Sequence, residues 1–130
     1  ILEMSHRSKE YEAVNRSAEA RFKRLLGLGD DYRVLFMQGG ASAQFALVAL
    51  NFLAPGATAD YVITGAWGEK ALEEARRVGQ VHVAASTAAG GFRAVPALGE
   101  LRLSERPAYV HITSNETIQG VQWPALPDLG

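Results

Sequence analysis

Three observations along these 130 residues predict an α/β fold with a mostly parallel sheet and flanking helices. Short apolar runs rich in β-branched and aromatic residues alternate with longer amphipathic ones. Glycine- and proline-bearing turns separate the two kinds of segment. The order strand, helix, strand, helix, strand at close spacing calls for right-handed crossover connections, which join parallel neighbours.

Residues 8–26 place Tyr11, Val14, Ala18, Phe22, Leu25 and Leu26 at steps of three and four, one face of an amphipathic helix. Gly27 closes it, and Glu10, Glu12, Lys23 and Arg24 complement its dipole. Arg33-Val34-Leu35-Phe36-Met37 reads as a buried strand running into Gln38-Gly39-Gly40-Ala41-Ser42. A helical stretch over 43–53 follows, and Pro55-Gly56 turns the chain. Residues 60–64 read as a strand, Gly65 as a break, and 67–78 as a helix rich in Ala, Glu and Arg. A third strand is predicted over 81–85. Residues 88–103 read as loop with short extended pieces, and a fourth strand over 108–112 ends at Thr113-Ser114-Asn115. No internal repeat accompanies the rhythm.

The totals exclude several classes of function. Thirteen Lys plus Arg against fourteen Asp plus Glu give a net charge of −1, with no basic stripe, so nucleic acid and anionic membrane are not expected partners. The absence of cysteine removes disulfides, thiolate metal sites and cysteine nucleophiles. The three histidines lack metal-ligand spacing, so no metal is expected; His82 and His111 alternate with apolar neighbours in predicted strands and read as structural. The run Phe45 to Leu50 is far shorter than a membrane span, and nothing resembles a signal peptide, which makes a cytoplasmic protein the expectation. The start at Ile1-Leu2-Glu3 and the end at Asp128-Leu129-Gly130 both read as cuts through a longer protein.

In open α/β sheets ligands bind beyond the carboxyl ends of the strands. Three segments fall there: 39–42, 65–67 and 114–117. The first is either a cradle for an anion, with backbone N–H groups and the Ser42 hydroxyl turned to it, or a tight connection that glycine merely relieves. It matches neither the phosphate loop ending in Gly-Lys-Ser/Thr nor the dinucleotide glycine fingerprint. Trp67 is either a core aromatic or a platform for a planar ring. Asn115 and Thr117 offer an amide and a hydroxyl, or ordinary turn chemistry. His6 and Arg7, ahead of the first helix, suit a carboxylate or phosphate, or stand solvated.

Four runs resemble those of the phosphoserine aminotransferases, a class V family of fold type I: residues 5–10 (Ser-His-Arg-Ser-Lys-Glu), 34–45 (from Val34 through Gly39-Gly40-Ala41-Ser42 to Phe45), 59–67 (from Ala59 through Gly65 to Trp67) and 108–120 (from Ala108 through Asn115-Glu116-Thr117 to Gly120). They come in the family's order and span nearly the whole chain. The resemblance implies pyridoxal 5'-phosphate as cofactor, with Ala41 and Ser42 on its phosphate, Trp67 stacked on its ring and Thr117 bonded to the phenolic oxygen. It implies Arg7, with His6 beside it, on the acidic end of a small-molecule substrate. Amino transfer between phosphoserine and 2-oxoglutarate, in serine biosynthesis, and a homodimer are implied with it. Residues 1–130 would then be part of the large cofactor-binding domain, without the segment that carries the Schiff-base lysine. Lys9, Lys23 and Lys70 match no such motif, so the chain alone is expected to be inactive. A neighbouring aminotransferase or desulfurase of the same fold, and a non-catalytic phosphate-binding module, are the alternatives. A nicotinamide-binding domain lacks its glycine fingerprint.

Overall fold

The structure, a computed structural model, describes residues 3–129, except for the Ala41 side chain. It divides into two compact units, one ending at Gln38 and the other beginning at Gly39. In the first unit, helix α1 (Lys9–Leu26) starts where the Ser8 hydroxyl accepts from the Tyr11 amide at 3.2 Å. It ends where Leu28 N–H donates to the Lys23 carbonyl at 2.9 Å and Gly27 N–H to Arg24 at 3.4 Å. That pair of bonds needs the left-handed backbone Gly27 adopts at φ 65°.

Residues 33–37 are not a strand. They run without a ladder partner among the described residues, and Leu35, Phe36 and Met37 are exposed. Apolar composition signals that a segment suits a buried strand, but a strand exists only as a pairing, and the ladders of the main sheet join other segments.

In the second unit, α2 (Gly40–Phe52), β1 (Thr58–Ile63), α3 (Ala66–Arg76), β2 (Gln80–Ser86) and β3 (Val110–Ile112) build the α/β arrangement read from the sequence. The sheet is parallel in the order β2-β1-β3, with Thr58 opposite Gln80 and Asp60 opposite Val110. The fourth predicted strand is shorter than expected, although Ala108 N–H still donates to Thr58 and Asp60 N–H to Tyr109. Residues 88–103 hold two 3₁₀ turns, Ala88–Gly90 and Leu98–Glu100, and no strand. A hairpin that the sequence did not announce, β4 (Asn115–Glu116) against β5 (Val121–Gln122), follows β3.

Strand β1 is central and buried on both faces, as strand alternation requires of a two-sided sheet. Ala59, Tyr61 and Ile63 pack with Ala49 of α2, with Leu53 at its C-cap, and with Ala71, Leu72 and Ala75 of α3. Val62, with Ala84 and Trp123, faces Val95, Leu101 and Leu103 of the long loop on the other side. The β1–β2 connection through α3 and the β2–β3 connection through the long loop thus lie on opposite faces of the sheet. Asp60, wholly buried, ties that loop down: its carboxylate accepts from Ser104 N–H at 2.6 Å and from the Ser104 hydroxyl at 2.7 Å. His82, read as structural, donates from Nε2 to the Arg102 carbonyl at 2.7 Å.

His111 is also structural. Its ring stacks on Tyr61 at 4.8 Å and meets Phe45 edge-on at 6.2 Å, and its buried Nδ1 has no partner among the described residues. The Tyr61 hydroxyl bonds that of Tyr109 at 2.8 Å; burial, and then that partner, raise its pKa. Burial lowers the pKa of His111 from 6.5. As pH falls below that value the unfolded chain takes up a proton that the folded chain refuses, so stability is lost toward acid. A His111→Phe variant of the full-length protein keeps the stacking without the titration. Its urea midpoint should fall less than that of the unaltered protein between about pH 8 and about pH 5. Equal losses would show that His111 does not titrate differently on folding.

Candidate functional site

The carboxyl ends of β1 and β3 bring the three predicted rim segments together. Ser42, Phe45, Trp67, Thr113 and Asn115 line one cleft of about 300 Å³. Ser42 lies in the first turn of α2, behind Gly39 and Gly40 at φ 96° and 62°. Both angles lie in the left-handed region that favours glycine, and a Cβ on Gly39 would stand 3.0 Å from that of Ala43. Gly39 caps the helix without a side-chain bond, and among the described residues nothing accepts from the amides of Gly40 or Ser42. Such a helix start presents N–H groups and the positive end of a dipole, the requirements of a phosphate site. Ala41 shares this turn; its side chain lies outside the described residues. Thr113 Oγ1, at the floor of the cleft, is buried with no protein partner among them.

The second helix start on this rim is filled. Glu116, wholly buried in the β4–β5 hairpin, accepts from Trp67 N–H at 2.9 Å and from Gly68 N–H at 2.8 Å. Gln119 Oε1 accepts from Ala66 N–H at 3.2 Å. The two helix starts on one rim therefore differ: α3 carries an internal carboxylate, whereas among the described residues no side chain caps α2.

Trp67 is half-buried: the indole lines the cleft and is not sunk in the core. Its Nε1–H donates to Thr117 Oγ1 at 2.9 Å, and Lys70 Nζ lies 5.8 Å from the ring centroid. Thr117 is exposed at the hairpin turn. Because its oxygen already accepts from the indole, its own O–H is left to donate. The structure thus brings Ser42, Trp67 and Thr117 to one place. His6 and Arg7 belong to the first unit, exposed in the turn before α1, where Arg7 N–H donates to Ser5 Oγ at 3.2 Å.

Sequence reasoning missed Glu116 and Gln119 as partners of α3 and gave Thr113 no role. A Gly-x-x-Gly spacing at Gly65 and Gly68 was the only available signal, since both glycines sit against Glu116. A second cleft, about 490 Å³, opens beyond β2 and is lined by Ser86, Thr87, Arg93 and Glu100 among others. None of the predicted site residues borders it.

The model of the aminotransferase class-V family matches residues 2–130. The phosphoserine aminotransferase of Herpetosiphon aurantiacus is 54% identical over 128 residues, which is 98% of this chain and 36% of that protein. That of Niallia circulans is 54% identical over 130 residues, 100% of this chain and 36% of the relative. A solved phosphoserine aminotransferase from Bacillus circulans subsp. alkalophilus superposes with a TM-score of 0.88 at 53% identity, over 99% of this chain and 36% of that one. A phosphoserine aminotransferase from Trichomonas vaginalis solved with bound PLP gives 0.85 at 34% identity, over 98% and 36%. The chain thus spans little more than a third of the length of these relatives.

Proposed function

The chain belongs to the class V aminotransferases, and from that premise we propose that it forms part of a phosphoserine aminotransferase. This enzyme moves the amino group of O-phospho-L-serine to 2-oxoglutarate, giving 3-phosphohydroxypyruvate and L-glutamate. The observation that carries the reading is the convergence of an open helix start at Ser42, the Trp67 indole and the Thr117 hydroxyl at the carboxyl edge of one parallel sheet. Pyridoxal 5'-phosphate, when bound, supplies an electron sink for the carbon that loses or gains the amino group.

The residues fit that group. The amides of Gly40 and Ser42 and the Ser42 hydroxyl suit its phosphate, since they lack an internal acceptor or lie beside amides that do. Ala41 shares this turn and contributes backbone. The indole of Trp67 offers a flat face to the ring and keeps water from it. The Thr117 hydroxyl, oriented by Trp67 Nε1–H, donates to the phenolic oxygen. The Thr113 hydroxyl supplies a further polar group at the floor of the cleft. Arg7, assisted by His6, holds the phosphate or carboxylate end of the substrate through the guanidinium fork.

Substrates of this kind carry two or more charges and do not cross lipid unaided, which supports a cytoplasmic enzyme. Among the described residues no helix is long and apolar enough to cross a membrane. A homodimer is part of the same reading. So is inactivity of the chain by itself, because none of Lys9, Lys23 and Lys70 stands in the motif that carries the family's Schiff-base lysine.

Full-length protein mixed with phosphoserine and 2-oxoglutarate should release glutamate, measured by chromatography. No glutamate from phosphoserine, with turnover of another amino donor, would move the assignment to a neighbouring class V enzyme. Turnover by the 130-residue chain, purified free of longer protein, would contradict the placement of the catalytic lysine elsewhere.

A further inference from the structure

The geometry points to Glu116 as a positioning residue that, with Gln119, sets the orientation of the Trp67 indole from below. Its carboxylate reaches 49 and 48 residues back along the chain to two successive amides, those of Trp67 and Gly68. Gln119 takes the amide before them. Three N–H groups of the first turn of α3 are thereby held by one hairpin, and that turn can neither rotate about its axis nor slide without breaking them. The next residue in the hairpin, Thr117, takes the indole N–H. Trp67 is thus held twice by consecutive residues, once through its backbone and once through its ring.

The approach is close enough to demand glycine. A Cβ on Gly65 would stand 2.6 Å from Gln119 Oε1 and 2.6 Å from Glu116 Cδ, and one on Gly68 3.1 Å from Glu116 Oε1. Gly65 itself has an extended φ of 169°, so crowding and not backbone strain fixes its identity. The hairpin is closed from within by Gly120 N–H donating to the Glu116 carbonyl at 2.8 Å, and Trp123 N–H donates to Ser114 at 3.0 Å. A buried acceptor-only group with two backbone donors and the positive end of α3 has no hydrogen to offer a ligand. It acts through Trp67 and not on substrate.

This inference rests on Trp67 being the cofactor platform, and a double-mutant cycle in the full-length protein separates the two. Pyridoxal 5'-phosphate binding is measured by equilibrium dialysis, and the visible circular dichroism of the bound cofactor is recorded for each variant. Glu116→Gln keeps the shape but turns an amide N–H₂ toward one backbone donor. It and Trp67→Phe should each weaken binding about tenfold, and both should diminish the dichroic band. The double variant should lose little beyond either single one, because both changes act on the same indole.

Gln119→Ala, a milder change, should weaken binding about threefold and show the same dependence on Trp67. It serves if Glu116→Gln does not fold. Losses that multiply to about a hundredfold in the double variant would overturn the inference, since Glu116 would then act independently of the indole. So would unchanged binding in Glu116→Gln beside a weakened Trp67→Phe, which leaves the platform reading intact. Unchanged binding in Trp67→Phe alone would remove the platform reading, and the inference with it.

Discussion

Replacing Ser42 with aspartate in the full-length protein should weaken retention of pyridoxal 5'-phosphate about a hundredfold while leaving the fold as stable as before or slightly more so. Ser42 is the third residue of α2, where a negative side chain complements the helix dipole by about 0.5 kcal/mol. The same carboxylate would stand beside the amides of Gly40 and Ser42 and repel an incoming phosphate. Stability and binding therefore move in opposite directions, which simple damage to the turn cannot produce. Dialysis against the cofactor and urea unfolding of the same preparation measure both. Unchanged retention would place the cofactor phosphate away from α2, and a joint fall would mean that the turn had collapsed.

Gly65→Ala should be the most damaging single methyl group in the second unit, costing about 3 kcal/mol. The new Cβ would lie 2.6 Å from Glu116 Cδ and 2.7 Å from Glu116 Cγ. Gln119 can swing aside, but the Glu116 side chain is wholly buried and has nowhere to go. The hairpin must lift, and the lift strips a buried carboxylate of its backbone donors. Gly68→Ala is crowded by the Glu116 oxygen at 3.1 Å, with Ile63 Cα and Thr113 Oγ1 at an ordinary 3.6 Å, and gains helix propensity, so its loss should be smaller. Urea midpoints of the two variants give the ordering directly. The reverse order would mean that the hairpin yields easily and does not clamp α3.

Most of the fold was legible because its signals are local. The steps of three and four in α1, the Ser8 cap and the Gly27 stop all act within one or two turns, and the helix runs from Lys9 to Leu26 beside the predicted 8–26. The β-branched runs around Tyr61 and Val83 became β1 and β2 with edges displaced by one or two residues. The run at 33–37 misled for the opposite reason, since its apolar residues state a preference and its pairing depends on a neighbour that sequence pattern does not name. The site divided in the same way. Gly39-Gly40 beside Ser42 could be read as a helix start open to an anion, whereas Glu116 sat unremarked between Asn115 and Thr117.

The sequence by itself determined the α/β class, the strand-to-helix turns that gather at one edge, and the residues Ser42, Trp67 and Thr117 as candidates. Only the tertiary structure decided that the start of α2 stays open while that of α3 is closed by Glu116, and that Thr117 takes its hydrogen bond from Trp67. The physical reason is range. Capping and periodicity act among residues a few positions apart, but a carboxylate buried against amides 48 and 49 positions away depends on how the chain returns, and no local pattern encodes that return.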